Sequence, residues 1–409
     1  MHTIYVAGLV GDHLPEHIRA LASSGGASLV ASPTIHARVS EQLPEFASFP
    51  WIPITPLEPC LETVARQVGD GPVIILVTGD PLFYGVGRIV QKRFADRPVV
   101  FLPTVSTMQL CFARFGIAWD NAGFLSLHGR PLELLAERLQ EQTLFVFTDA
   151  RHNATVIARF LLGRIGETAV SSYLMHVAEN LATTHERLFS GTLAAAAQQS
   201  FGQPHCLIVQ KVHQPSSVPP YRFGLKEEDL VHSRGLITKN EIRAAVLHAL
   251  ALPERGVLWD IGAGSGSIGI EAARLFPALT VYAVERNPAE IANITNNRER
   301  FQCWNLVPVQ GTAPSALAGL PRPDRVFVGG SGGNLEILLR YLSETIAAGA
   351  IMVVTAVRPE TRQVAPALLA GQGCRVSISR VAVSRFDYPA LAETRLNPID
   401  IIQAEKRDG

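Results

Sequence analysis

The chain predicts an α/β protein of two consecutive domains, and three features of its 409 residues point to that class. Short β-rich apolar runs recur and stop at glycine turns, helical periodicity follows several of those turns, and one stretch has no periodicity at all. That stretch is Gln214 to Tyr221, QPSSVPPY, with three prolines and two serines. It reads as a semi-rigid linker. The expected division is a first domain at residues 1–213, a linker at 214–224 and a second domain at 225–409, since a chain this long exceeds one ordinary core.

In the first domain, Ile4 to Val10 reads as a strand ending at Gly8 and Gly11, and Val73 to Val77 as one ending in Thr78-Gly79-Asp80-Pro81. Gly85 and Gly87 follow, giving a loop whose backbone can approach a ligand, with Asp80 as an acceptor. The plainer alternative is a Gly-Asp-Pro turn that closes a buried strand. Val99 to Leu102 is the next strand, and Ser106 or Thr107 can cap a helix from Met108 to Phe115. Their hydroxyls and free backbone N–H groups would then face the same crevice as Gly79 and Asp80. Thr143 to Phe147, Ala169 to Tyr173 and Cys206 to Val209 read as further strands, with a short strand from Glu186 to Ser190 and a helix from Thr192 to Gln198.

The second domain opens on Gly235 to Glu241, which leads into a helix whose apolar positions include Ile242, Ala245, Val246 and Leu250. Thr238 or Asn240 is its expected N-cap, and Thr238 could instead reach a ligand. Val257 to Ile261 then reads as a strand, followed by glycines at 262, 264, 266 and 269, helical spacing to Leu275, and a second strand from Leu279 to Val284 that ends in Glu285. This is the layout of a nucleotide-binding βαβ unit, whose acid accepts hydrogen bonds from a ribose. The third glycine of a dinucleotide fingerprint is replaced by Ser267, and Gly266 instead completes G-x-G-x-G after Asp260. With no glycine where a pyrophosphate would lie, S-adenosylmethionine is favoured over a nicotinamide dinucleotide, its carboxylate near the helix N-terminus. Leu306 to Val309, Arg325 to Val328, Ile351 to Thr355, Arg375 to Ser379 and Ile399 to Ala404 complete a single α/β sheet. The turns Gly311-Thr312-Ala313-Pro314 and Gly329 to Gly333 are candidates for the adenine and the reacting centre.

Composition narrows the classes. Equal numbers of acidic and basic residues, 36 each, remove the general positive field that nucleic-acid binding usually needs and argue against the alternative of an RNA methyltransferase, for which a local basic patch would have to serve. The five cysteines are far apart and lack C-x-x-C spacing, so neither a zinc site nor a disulfide framework is expected. No apolar segment reaches the length of a membrane span and no basic n-region precedes HTIYVAGLV, so a cytoplasmic protein without a membrane partner is expected. A second copy of the chain stays open as a partner.

These motifs resemble two known families. The first domain resembles the tetrapyrrole methylases, through Gly79-Asp80-Pro81 with Gly85 and through Pro103 with Ser106 and Thr107. The second resembles the decarboxylating precorrin methyltransferases, through Gly235 to Arg243, Leu258 to Glu271, Val284 to Asn287, Gly311 to Pro314 and Asp324 to Asn334. One departure is that the methylases open with Gly-x-Gly-Pro-Gly, whereas here Gly8-Leu9-Val10-Gly11-Asp12 lacks a glycine and the proline. The resemblance implies a first domain of two α/β subdomains and a Rossmann-like second domain, each with one S-adenosylmethionine. It also implies a precorrin substrate, metal-free or cobalt-containing, of cobalamin biosynthesis, with C5 methylation in the first domain and C15 methylation with decarboxylation in the second. The expected donor-binding residues are Gly8, Gly79, Asp80, Gly85, Ser106 and Thr107 in the first domain. In the second they are Thr238, Gly262, Ala263, Gly264, Ser265, Gly266, Glu285 and Ala313. Arg130, Arg286 and Arg358 are candidate clamps for substrate carboxylates, and no catalytic group or metal ligand is singled out.

Overall fold

The computed structural model describes residues 2–11, 16–22, 26–67, 71–166, 170–212, 222–233 and 237–407. The expected linker segment 214–221, Asp12, Gly235 and Leu236 lie outside the described residues. The chain divides into two compact units, one of Met1–Leu132, Glu141–Gly163 and Ser171–Val212, the other of Glu133–Gln140, Arg164–Val170 and His213–Gly409.

The first unit holds two five-stranded sheets. β1 (Ile4–Leu9), β2 (Ser28–Ala31), β3 (Trp51–Pro53), β4 (Val73–Thr78) and β5 (Val99–Leu102) are all parallel, in the order β3-β2-β4-β1-β5. Their near-continuous apolar runs follow from burial on both faces. Ile4, Val6, Val73 and Ile75 enter one core cluster, whereas Ala7, Leu9, Ile74 and Leu76 enter another. This is the alternation that a pleated strand imposes. The second sheet comprises β6 (Gly123–Ser126), β7 (Thr143–Phe147), β8 (Tyr173–Glu179), β9 (Arg187–Thr192) and β10 (His205–Lys211), in the order β6-β7-β10-β8-β9. Only the β6–β7 pair is parallel.

The strand expected at Ala169 to Tyr173 is displaced: it begins at Tyr173, after a turn at Ser171 and Ser172. Its buried His176 and Glu179 disguise it as polar. The His176 ring lies 2.5 Å from Ser190 Oγ and 3.2 Å from Gln210 Oε1, and Glu179 accepts from the Gly202 amide. Both polar groups are satisfied across the strands, so the run survives burial.

The second unit is organised on β11 (Arg255–Ile261), β12 (Ala278–Glu285), β13 (Leu306–Gln310), β14 (Arg325–Val328), β15 (Ile351–Ala356), β16 (Cys374–Val381), β17 (Ser384–Asp387), β18 (Ala392–Arg395) and β19 (Ile399–Lys406). Seven of them form one sheet in the order β13-β12-β11-β14-β15-β19-β16, with β11 to β15 parallel and β19 antiparallel to its neighbours. The expectation of a single sheet is corrected by β17 and β18, which pair as a separate ribbon. Those strands are mostly exposed, with no apolar face to lay on the main core. The expected N-cap is corrected as well. The helix Asn240–Leu250 is capped at Lys239, with Thr238 and Asn240 flanking it.

Candidate functional site

In the second unit the strand order reverses at β11, between β12 and β14, and ligands of such sheets bind outside the carboxyl ends at that point. A pocket opens there, lined by Ile261, Gly262, Val284, Glu285, Arg286, Gly311 to Ala313, Gly330 to Gly332 and Leu338. Gly262, Gly264 and Gly266 take positive φ angles of 67°, 54° and 78°. Gly262 is demanded twice over, because a Cβ there would also lie 2.5 Å from the Gly330 carbonyl oxygen. The helix Ser267–Leu275 follows, with Gly266 at its N-cap.

Glu285 is docked against this turn. Its Oε2 accepts from the Gly264 amide at 3.0 Å, and its Oε1 accepts from the amides of Arg286 at 2.9 Å and Asn287 at 3.0 Å. A carboxylate offers about four lone-pair sites, so one remains for a ribose hydroxyl. Below the turn, Asp260 is fully buried and its Oδ2 accepts from the Gly269 amide at 2.9 Å. Burial pushes its carboxyl up to about 7, opposed by the Gly269 hydrogen bond and reinforced by the charge of Glu285.

Of the expected residues, Gly262, Glu285 and Ala313 line the pocket. Ala263, Gly264, Ser265 and Gly266 build the turn beneath it: the Ala263 amide donates to Val284 O, the Gly266 amide to Ala263 O, and the Ser265 carbonyl accepts from buried Asn297. Thr238 does not line the pocket. Its carbonyl accepts from Arg243, which pairs with Glu271 where both side chains are 1% exposed. Glu271 also accepts from the amides of Gly224 and Leu225, and Arg243 donates to Leu225 O and Asn240 Oδ1. This buried brace ties the helix after the glycine turn to the segment that enters the unit. Among the arginines proposed as clamps, Arg286 lines the pocket, beside the Gly332 turn.

The first unit presents a crevice lined from both of its sheets. Thr78, Gly79, Asp80, Phe83, Tyr84, Gly85, Ser106 and Thr107 come from the first sheet and its loops, Ser126, His128, Phe147 and Thr148 from the second. Asp80 Oδ1 accepts from the Leu82 amide at 2.8 Å, which closes the loop on itself. Ser106 is the N-cap of the helix Thr107–Phe115, in a reciprocal capping box with Gln109. Its hydroxyl is therefore committed to the helix, and Thr107 stands at the helix start. Gly8 does not line the crevice; in β1 it sits where a Cβ would overlap the Gly79 carbonyl oxygen. Close backbone packing is its visible role. The sequence reading missed the aromatic wall, where Phe83, Tyr84 and Phe147 lie within 6 Å of one another by ring centroids. It missed His128 too. Paired aromatics at 83–84 after the Gly-Asp-Pro turn were the available signal.

All five cysteines are buried and free. Among the described residues, no helix is long and apolar enough to cross a membrane, and no group of three or more His, Cys, Asp or Glu is arranged to hold a metal.

An acid-anchored glycine turn on a doubly wound sheet in one unit, and a crevice lined from two sheets in the other, accord with the class to which the chain belongs, the S-adenosylmethionine-dependent methyltransferases. The tetrapyrrole (corrin/porphyrin) methylase family model matches residues 6–197, and that of the precorrin methyltransferase domain matches residues 229–390. A precorrin-6Y C(5,15)-methyltransferase [decarboxylating] of Sinorhizobium is 34% identical over 337 residues, 80% of this chain and 79% of that protein. One of Mycobacterium tuberculosis is 30% identical over 75% of each chain. A cobalt-precorrin-6B C(15)-methyltransferase (decarboxylating) of Salmonella typhimurium is 40% identical over 42% of this chain and 90% of its own length. The chain belongs to the family of decarboxylating precorrin-6Y C(5,15)-methyltransferases.

Proposed function

We propose that the chain methylates a metal-free precorrin of cobalamin biosynthesis at C5 in its first unit, and methylates C15 and removes the C12 acetate carboxyl in its second. The observation that carries this reading is the pair of separate strand-end pockets, each on a stretch matched by a different methylase family. That the Salmonella relative, named for C15 alone, covers only 42% of this chain supports the split of labour.

Each pocket is proposed to hold one S-adenosylmethionine, which supplies an electrophilic methyl group on a sulfonium. In the second unit Glu285 would take a ribose hydroxyl on its spare lone pair, and Gly262 and Ala313 would let the nucleoside lie against backbone. Arg286 would face a substrate carboxylate. In the first, Gly79, Gly85 and Thr107 would form the donor cradle and the aromatic wall would lie along the ligand. A meso carbon in a conjugated enamine is already nucleophilic, so the residues mainly align it, and orientation is worth roughly 7–11 kcal/mol. Five buried, unpaired cysteines support a reducing, cytoplasmic setting.

The test is incubation of the full chain with S-adenosylmethionine and metal-free precorrin-6Y, read by mass spectrometry. Gain of two methyl groups with loss of one carbon dioxide is expected. No methyl gain there, with turnover of the cobalt-containing compound alone, would contradict the substrate.

A further inference from the structure

We propose that His128 takes up the proton released when the first unit transfers its methyl group, an inference that rests on the function proposed above. Three side chains lining the first crevice can carry a proton: Asp80, Tyr84 and His128. The Tyr84 hydroxyl donates to the Phe124 carbonyl at 3.0 Å, and Asp80, whose Oδ1 accepts from the Leu82 amide, is a carboxylate and by its chemistry a weaker base than an imidazole. The His128 ring makes no hydrogen bond to a described residue. Imidazole is also the side chain suited by its chemistry to exchange protons near neutral pH.

The position is built rather than incidental. His128 lies in the turn Leu127–Arg130 that follows β6, closed by the Arg130 amide donating to Leu127 O at 3.1 Å. Asp149 accepts from the Gly129 amide at 3.0 Å and from the His152 amide at 2.6 Å, and those hydrogen bonds hold its carboxyl below the usual carboxylate range. The buried His152 ring lies 3.4 Å from Leu127 O, so both ends of the turn are pinned. The charged and titratable neighbours are then Asp80 and Tyr84 on the loop after β4, Asp149 and His152 after β7, and Arg130 in the turn itself. His128 is exposed at the crevice mouth, where a captured proton passes on to water.

The step balances. The enamine carbon forms a bond to the methyl carbon as the sulfur–methyl bond breaks, and its electron pair leaves with sulfur as a neutral thioether. The methylated carbon then gives its proton to an imidazole nitrogen of His128, and the released C–H pair restores the conjugated double bond and discharges the ring cation. The products are the methylated, uncharged macrocycle, the thioether and an imidazolium.

The test uses the full chain as wild type, His128→Ala and His128→Gln, with metal-free precorrin-6Y and S-adenosylmethionine. It follows methyl gain at C5 across pH, donor affinity by calorimetry, and the His128 ring resonance, identified by its loss in His128→Gln. Expected are unchanged donor affinity, a kcat for the C5 methylation lower by about 100-fold, and loss of the acid limb of the pH profile. Partial rescue of His128→Ala by added imidazole is expected too, with a ring resonance that shifts when substrate binds. A His128→Ala enzyme with wild-type kcat and acid limb would overturn the proposal. So would a rise in KM alone, which would make His128 a substrate grip, or a loss that comes with weakened donor binding and no imidazole rescue. Failure of the wild type to methylate the precorrin would overturn the functional reading first, before any variant is compared.

Discussion

The two pockets, proposed to take the same methyl donor, are built from different materials. The second unit's pocket rests on one sheet, and every layer beneath it is fastened: Glu285 to the Gly264 amide, Asp260 to the Gly269 amide, Glu271 to Arg243. The first unit's crevice is lined from two sheets, and Asp80 there accepts from the Leu82 amide of its own loop, with no tie to a core beneath it. The second pocket is thus a polar socket rooted in a core, whereas the first is a gap between subdomains given shape by glycines, a capped helix and aromatic rings. Damage to buried charge should fall on the second pocket, and damage to backbone fit on both.

The largest effect expected is on the brace. Arg243→Ala or Glu271→Ala leaves a buried charge without its partner and should cost the second unit about 3–5 kcal/mol. Denaturant unfolding should show the second unit's transition moved to lower denaturant and the first unit's unmoved. Next come the backbone approaches. Gly262→Val should weaken donor binding at the second pocket by more than about tenfold, since each 1.4 kcal/mol of displaced backbone is tenfold, and Gly8→Ala should do the same at the first. Calorimetry should find one surviving site in each variant; two would mean that neither approach matters.

Smaller still is Glu285→Ala, which removes a charged acceptor worth roughly 1.5–3 kcal/mol, or about 10- to 100-fold in donor affinity. Asp80→Ala should weaken the first site by less, because that carboxylate serves its loop. Equal losses would erase the contrast between the two acids.

A pH-dependent effect concerns Asp260, whose carboxyl burial raises to about 7. An unfolded aspartate titrates near ~3.9, so the native state holds the extra proton between these values. Stability from this group is present below the lower value and is lost as pH rises to about 7. Asp260→Asn should therefore gain in unfolding midpoint over wild type on going from pH 5 to pH 8. A constant gap would mean that the carboxyl titrates normally.

Much of the second unit was legible because its signals are local. The glycine turn, the acid ending β12 and the strands at Arg325–Val328 and Leu306–Gln310 announce themselves through runs that stop at glycines. The parallel and strand-order information is not local, and neither is the ribbon of β17 and β18, whose exposed residues leave no periodic imprint. In the first unit, β2, β3 and β6 offer only short, broken apolar runs, SLVA, WIP and GFLS, whereas the equally short β5 is an unbroken VVFL. Thr238 illustrates a different limit. Its place before a helix suggests a ligand contact, whereas what the structure shows of it is a carbonyl bonded to a buried arginine five residues on. His128 was invisible for the converse reason, since only the pairing of β6 with β7 brings its turn to the crevice.

The central claim is that each unit carries its own methyl-donor pocket. Titration of the full chain with S-adenosylhomocysteine by calorimetry measures this most directly. The account predicts two sites per chain, falling to one in Gly262→Val; one site or none in the wild type would contradict it.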